Sequence, residues 1–166
     1  MYGNTGVVAR AIAEGIGPGA IAMSTAEATP AVVAAADLVV AGAPVHAMTL
    51  PSLKSRAKAL ASPIADGRVQ ANLDHPMMRD WLARLDHAQG SAAAFDTRVR
   101  GPFGRGAAPA IAAGLTDAGF TLVAAPRGFY VDSVTHDAHP GALVRPGELA
   151  EALEWGRTLV AEYALV

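Results

Sequence analysis

Val8, Ala11, Ile12, Gly15 and Ile16 recur at the spacing of one helical face, and Gly17-Pro18-Gly19 ends the run. The pattern predicts a first helix that opens directly from Gly3-Asn4-Thr5. A short apolar piece, Ala20 to Met23, follows, and then an Ala-rich helix around Pro30 to Ala36. The clearest strand is Asp37-Leu38-Val39-Val40-Ala41-Gly42. Its unbroken apolar character between Asp and Gly fits a strand buried on both faces of a parallel sheet. It empties into Ala43-Pro44-Val45-His46.

Further along, Leu53, Ala57 and Leu60 share a face opposite Lys54 and Lys58, which predicts a helix from Pro51 to Leu60. Ser62 to His75 has no clear period. A helix starting at Pro76 would bury Met78, Trp81, Leu82 and Leu85 on one side. Ser91 to Phe95 reads as a strand that ends at Asp96-Thr97-Arg98, and a Gly-rich loop leads from it into a helix over Ala107 to Ala118. Phe120 to Ala125 is the last strong strand, with a continuation at Phe129-Tyr130-Val131. The closing helix, Gly147 to Tyr163, places Leu149, Leu153, Gly156, Val160 and Tyr163 on one face. Strands alternating with helices over connections long enough for crossovers indicate an α/β, doubly wound fold with a parallel sheet and helices on both faces, in one domain spanning 1–166. In such sheets ligands bind at the carboxyl ends of the strands.

Composition narrows the chemistry. The chain has no Cys, which excludes disulfide scaffolds, thiolate metal sites and Cys nucleophiles together. Any redox chemistry must come from a borrowed cofactor. Thirteen Lys and Arg against 15 Asp and Glu give a net charge of -2, too even for the basic footprint of a nucleic-acid binder. Asp37 and Pro44 interrupt the one long apolar stretch, so no membrane span is expected and the sequence reads as soluble and cytoplasmic. His136-Asp137-Ala138-His139 has metal-binding residue types but no identifiable fourth ligand, and reads as loop filler. Ser24 and Ser133 lack a Gly-x-Ser-x-Gly setting, so no hydrolytic nucleophile is assigned. Trp81 and Trp155 sit on helical stripes and read as packing residues.

Gly3-Asn4-Thr5-Gly6 at a helix start suits a phosphate, because free backbone N–H groups and the positive end of the helix dipole both favour an anion. An ordinary helix cap fits the same four residues. Tyr2-Gly3-Asn4-Thr5 followed by Val8-Ala9 and Ile12-Ala13 is similar to the phosphate loop and first helix of flavodoxins, and Asp37 to Pro44 looks like the strand and loop that reach one side of their flavin. Ala93 to Arg98, Gly114-Leu115 with Gly119-Phe120, Phe129-Tyr130-Val131 and Gly147-Glu148-Leu149 with Trp155-Gly156 resemble, in order, a flavodoxin-domain subfamily of actinobacterial type. The resemblance implies non-covalent FMN. Tyr2, Gly3, Asn4, Thr5 and Gly6 would meet the ribityl phosphate, while Pro44, Val45, His46 and Ala47, with Ala43 behind them, and a second loop from Asp96, Thr97 and Arg98 to Phe103 would flank the ring. It also implies electron transfer with a redox partner protein. Arg98 has two readings, a cation beside reduced flavin or a partner of Asp96 that fixes the loop.

Three features depart from the family. Met1 already lies within the phosphate loop, so the first strand is expected to be missing, leaving a gap of roughly 9.6 Å in the sheet. Aromatic residues make up only 5% of the chain, and a net charge of -2 offers little field for docking a basic partner. Two alternatives therefore stand beside the electron carrier: an NAD(P)H-dependent FMN or quinone reductase on the same fold, and a truncated module that does not bind flavin.

Overall fold

The computed structural model describes residues 3–45, 50, 74–85, 89–101, 106–132 and 141–165. Five helices, α1 (Asn4–Ile16), α2 (Pro30–Ala34), α3 (Met78–Leu82), α4 (Ala108–Asp117) and α5 (Glu148–Tyr163), surround four strands among them. The strands are β1 (Leu38–Pro44), β2 (Ser91–Val99), β3 (Thr121–Leu122) and β4 (Arg127–Val131). The helix expected over Pro51 to Leu60 lies outside the described residues, as does the His136 to His139 run.

The sheet is parallel throughout its named strands, as expected. β1 pairs with β2 along its whole length, from Leu38 opposite Ser91 to Pro44 opposite Thr97. β3 and β4 share the other edge of β2, with Ser91 opposite Thr121 and Phe95 opposite Arg127. The predicted strand Phe120 to Ala125 is thus shorter than its apolar run. It breaks at Val123 to Pro126 and resumes at Arg127. Pro126 offers no N–H to continue a ladder, and Val123 turns inward to the core. Among the described residues β1 pairs with β2 alone. The outer edge of β4 is covered by a returning segment, through a bridge from Val131 to Val144 and a bond from the Tyr130 N–H to the Glu148 carboxylate, 2.9 Å.

Because side chains alternate along a strand, β2 feeds two cores. Ala92 and Ala94 point to one face, where Val39, Ala41 and Ala43 of β1 meet Val33 of α2, Met78 and Trp81 of α3, and Ile111 and Leu115 of α4. The Trp81 indole N–H donates to the Ala28 carbonyl, 2.6 Å, which settles its polar atom. Ala93 and Phe95 point to the other face, against Val8 and Ile12 of α1 and Ala152, Trp155 and Leu159 of α5. Phe95, Phe129 and Trp155 meet there edge to face, with ring centroids 5.9–6.4 Å apart. Both Trp residues are core residues, 5% exposed each. β1 is not buried on both faces as its apolar run predicts: Val39, Ala41 and Ala43 are buried, whereas Leu38, Val40 and Gly42 are half-buried.

The closing helix is rotated from its predicted face. Ala152, Trp155, Gly156 and Leu159 are the buried positions, while Leu149, Val160 and Tyr163 are 39–41% exposed. The cause is a close crossing of α1 and α5 at Gly15 and Gly156. A Cβ on Gly15 would collide with the Leu153 carbonyl, and one on Gly156 with the Ile12 carbonyl. The crossing fixes which side of α5 faces inward. Among the described residues no helix is long and apolar enough to cross a membrane.

Candidate functional site

Thr97, the penultimate polar residue of β2, is where three chain segments meet. Its carbonyl accepts the Val45 N–H at 2.9 Å, which holds the end of β1. Its hydroxyl lies 2.7 Å from the Thr5 hydroxyl, which holds the first turn of α1. The segments Gly3 to Gly6, Ala43 to Val45 and Asp96 to Arg98 therefore converge at the carboxyl end of the sheet. Tyr2, His46, Ala47 and Phe103 lie outside the described residues.

The first turn of α1 is open. Gly3 stands at the N-cap with φ 80°, a left-handed conformation that favours glycine, and no side chain caps the helix. Its carbonyl accepts the Val7 N–H, so the amides of Asn4, Thr5 and Gly6 precede the first helical bond. Asn4 as a residue is 8% exposed, and its side-chain amide makes no hydrogen bond among the described residues but is not sealed from solvent. No acidic residue sits in this turn. One turn on, the Arg10 guanidinium comes within 3.7 Å of where a Gly6 Cβ would be, the one approach within 4 Å among the described residues outside the helix's own backbone. Arg10 has no ion-pair partner among the described residues. A cation folded toward the positive end of a helix dipole is unfavourable by itself and favourable with an anion between them. Arg10 was not singled out in the sequence, although its spacing of four from Gly6 on a helix was a usable signal.

Asp96 and Arg98 point to the opposite face of the sheet. The Asp96 carboxylate is fully buried and accepts the N–H groups of Ala107 and Ala108, 2.6 and 2.7 Å, at the start of α4. Its other oxygen accepts from Arg98 Nε at 2.5 Å. The guanidinium threads between Gly106 and Gly128, where a Cβ on either would collide with it. Gly106 also holds φ 64°. Of the two readings of Arg98, the pairing with Asp96 is present, and its Asp96 end is interior. The carboxylate of Asp96 is accordingly committed to α4 and Arg98, and does not face the open turn of α1. Ala43 is likewise buried, packed in the α2–α4 core, whereas Pro44 and Val45 are half-buried.

Ser24 is also occupied. It donates both its N–H and its hydroxyl to the Glu27 carboxylate, 2.7 Å each, in an exposed turn. This is a local capping arrangement, in which the Glu27 N–H donates back to the Ser24 hydroxyl.

No model of a known protein family matches the chain. No curated protein matches it in sequence. Solved structures do match in shape. A flavodoxin from the domain Archaea superposes with a TM-score of 0.58 at 17% identity, over 99% of this chain and 93% of that one. The Flv1 flavodiiron core from Synechocystis sp. PCC6803 gives 0.56 at 16% identity, over 99% of this chain and 34% of that one. A flavodoxin, WrbA-like protein from Agrobacterium tumefaciens gives 0.50 at 16% identity, over 99% and 92%. The fold of this chain is the flavodoxin-like α/β fold.

Proposed function

We propose that this chain binds FMN non-covalently and uses it in electron transfer with a redox partner protein. The observation that carries the reading is the first turn of α1, where free amides and an Asn4 side chain unpartnered among the described residues lie one turn from Arg10, whose guanidinium approaches Gly6, with no acid in that turn. These groups are donors and a cation, the set a phosphate monoester requires. The phosphate would lie against Asn4, Thr5 and Gly6. The ring would extend toward the ends of β1 and β2, over Pro44 and Val45 and the loops that follow them. A shared fold with a flavodoxin, a flavodiiron core and a WrbA-like protein supports the choice of flavin among phosphate-bearing ligands. FMN supplies one- and two-electron chemistry when bound. The chain's own residues hold the phosphate, position the ring and set its polarity.

The test is titration of FMN fluorescence with the full chain. Quenching that saturates at one FMN per chain is expected. Absence of quenching at high protein concentration contradicts the reading and leaves the module without flavin. Oxidation of NAD(P)H by the loaded protein without any partner protein would select the reductase instead.

A further inference from the structure

We propose that Thr97 is a positioning residue that makes this site select a phosphate monoester over the same flavin without its phosphate. The inference rests on the FMN reading above and adds a specificity determinant to it.

Two hydroxyls 2.7 Å apart share a single hydrogen bond, so one donates and the other keeps its proton for a different acceptor. Burial decides which. Thr97 is 3% exposed, and its hydroxyl has no second partner among the described residues. If Thr5 donated, the proton of Thr97 would be buried without an acceptor, a costly arrangement. Thr97 therefore donates and Thr5 accepts. Thr5 is half-buried, in the first turn of α1, and its own proton is left to point outward beside the amides of Asn4, Thr5 and Gly6. The bond converts a rotatable hydroxyl, able to donate or accept, into a fixed donor. A fixed donor favours an anion, which accepts a charge-assisted hydrogen bond, over the uncharged hydroxyl at a ribityl chain end, which accepts a weaker one.

Alternation along β2 makes this possible. Asp96 and Arg98 face α4, so Thr97 alone of the three faces α1, level with its first turn. Valine at this position keeps the shape and removes only the donor.

The experiment measures dissociation constants of the full chain for FMN and for riboflavin by fluorescence quenching, with thermal unfolding of each variant. In wild type, FMN should bind more tightly than riboflavin. Thr97→Val should weaken FMN by roughly 3- to 10-fold, the range of one lost neutral hydrogen bond, and riboflavin by clearly less. Thr97→Ser should restore FMN binding. Thr5→Val, at a less buried position, should give an FMN-specific loss at least as large, because it removes the donor to the phosphate itself, and the double Val variant should lose no more than Thr5→Val alone. Equal losses for both flavins in Thr97→Val, or unchanged FMN affinity in a folded Thr97→Val, would overturn the proposal while leaving the FMN reading intact. Failure of wild type to bind either flavin would remove the FMN reading and this proposal with it.

Discussion

Asp96 and Thr97 are consecutive on β2 and anchor the N-termini of helices on opposite faces of the sheet. The carboxylate of Asp96 accepts two N–H groups at the start of α4, and the hydroxyl of Thr97 bonds Thr5 in the first turn of α1. One strand end thus sets the position of both helix starts. Asp96 carries a buried charge matched by Arg98 and by those two amides, so removing it takes a buried carboxylate from Arg98 and uncaps α4. Asp96→Ala should cost about 3–5 kcal/mol in denaturant unfolding. A loss under 1 kcal/mol, on the order of a solvated surface pair, would show that the cluster is not the anchor described.

Gly6 separates ligand binding from folding. Among the described residues beyond its own helix backbone, a Cβ there meets the Arg10 guanidinium alone, at an ordinary contact distance, so alanine clashes with none of them. Alanine also favours helix over glycine by up to about 1 kcal/mol. Gly6→Ala should therefore unfold at the same or higher temperature while its FMN affinity drops, because the methyl occupies the space over the first turn. Unchanged affinity would move the phosphate elsewhere.

The closing helix offers a packing test. Leu159 is fully buried beside the Phe95, Phe129 and Trp155 rings, and Val160 is 41% exposed. Leu159→Ala should cost about 2–5 kcal/mol, and Val160→Ala no more than about 0.5 kcal/mol. Equal costs would contradict the observed rotation of α5.

That rotation marks where sequence reading ran out. The stripe Leu149, Leu153, Gly156, Val160 and Tyr163 has good helical periodicity, but Trp155 and Leu159 give a competing face that shares Gly156. Only the approach of Gly15 on another helix decides between them. Likewise, Phe120 to Ala125 is apolar enough for a strand, and the break there follows from Pro126 and from Val123 turning into the core. The candidate phosphate turn was legible because Gly3-Asn4-Thr5-Gly6 is local and begins a strongly periodic helix. The role of Asp96 was not, since its partners at Ala107 and Ala108 are supplied by tertiary packing. Nor was the bond between Thr5 and Thr97, which joins positions 92 residues apart.

Glu27 carries a pH signature. The Ser24 N–H, and after it the Ser24 hydroxyl, hold its carboxyl below the ordinary carboxylate range. A carboxyl lowered by folding stabilises the folded form above its unfolded pKa, and that contribution is lost as pH falls through the folded pKa. The turn at Ser24 to Glu27 should loosen in acid, locally and weakly because it is exposed. In an NMR titration the Ser24 amide should follow the Glu27 carboxyl, and Ser24→Ala should raise the midpoint. Because alanine keeps the N–H, a midpoint that stays in place in Ser24→Ala would refute the part assigned to the Ser24 hydroxyl.

The most direct measurement is a map of backbone amide shifts on adding FMN or riboflavin to the labelled chain. The account predicts that FMN shifts Asn4, Thr5 and Gly6 strongly, and that riboflavin, lacking the phosphate, leaves those three nearly unmoved while still perturbing the ends of β1 and β2. FMN shifts that bypass residues 4–6, or equal shifts there with both flavins, would contradict placement of the phosphate at the first turn of α1.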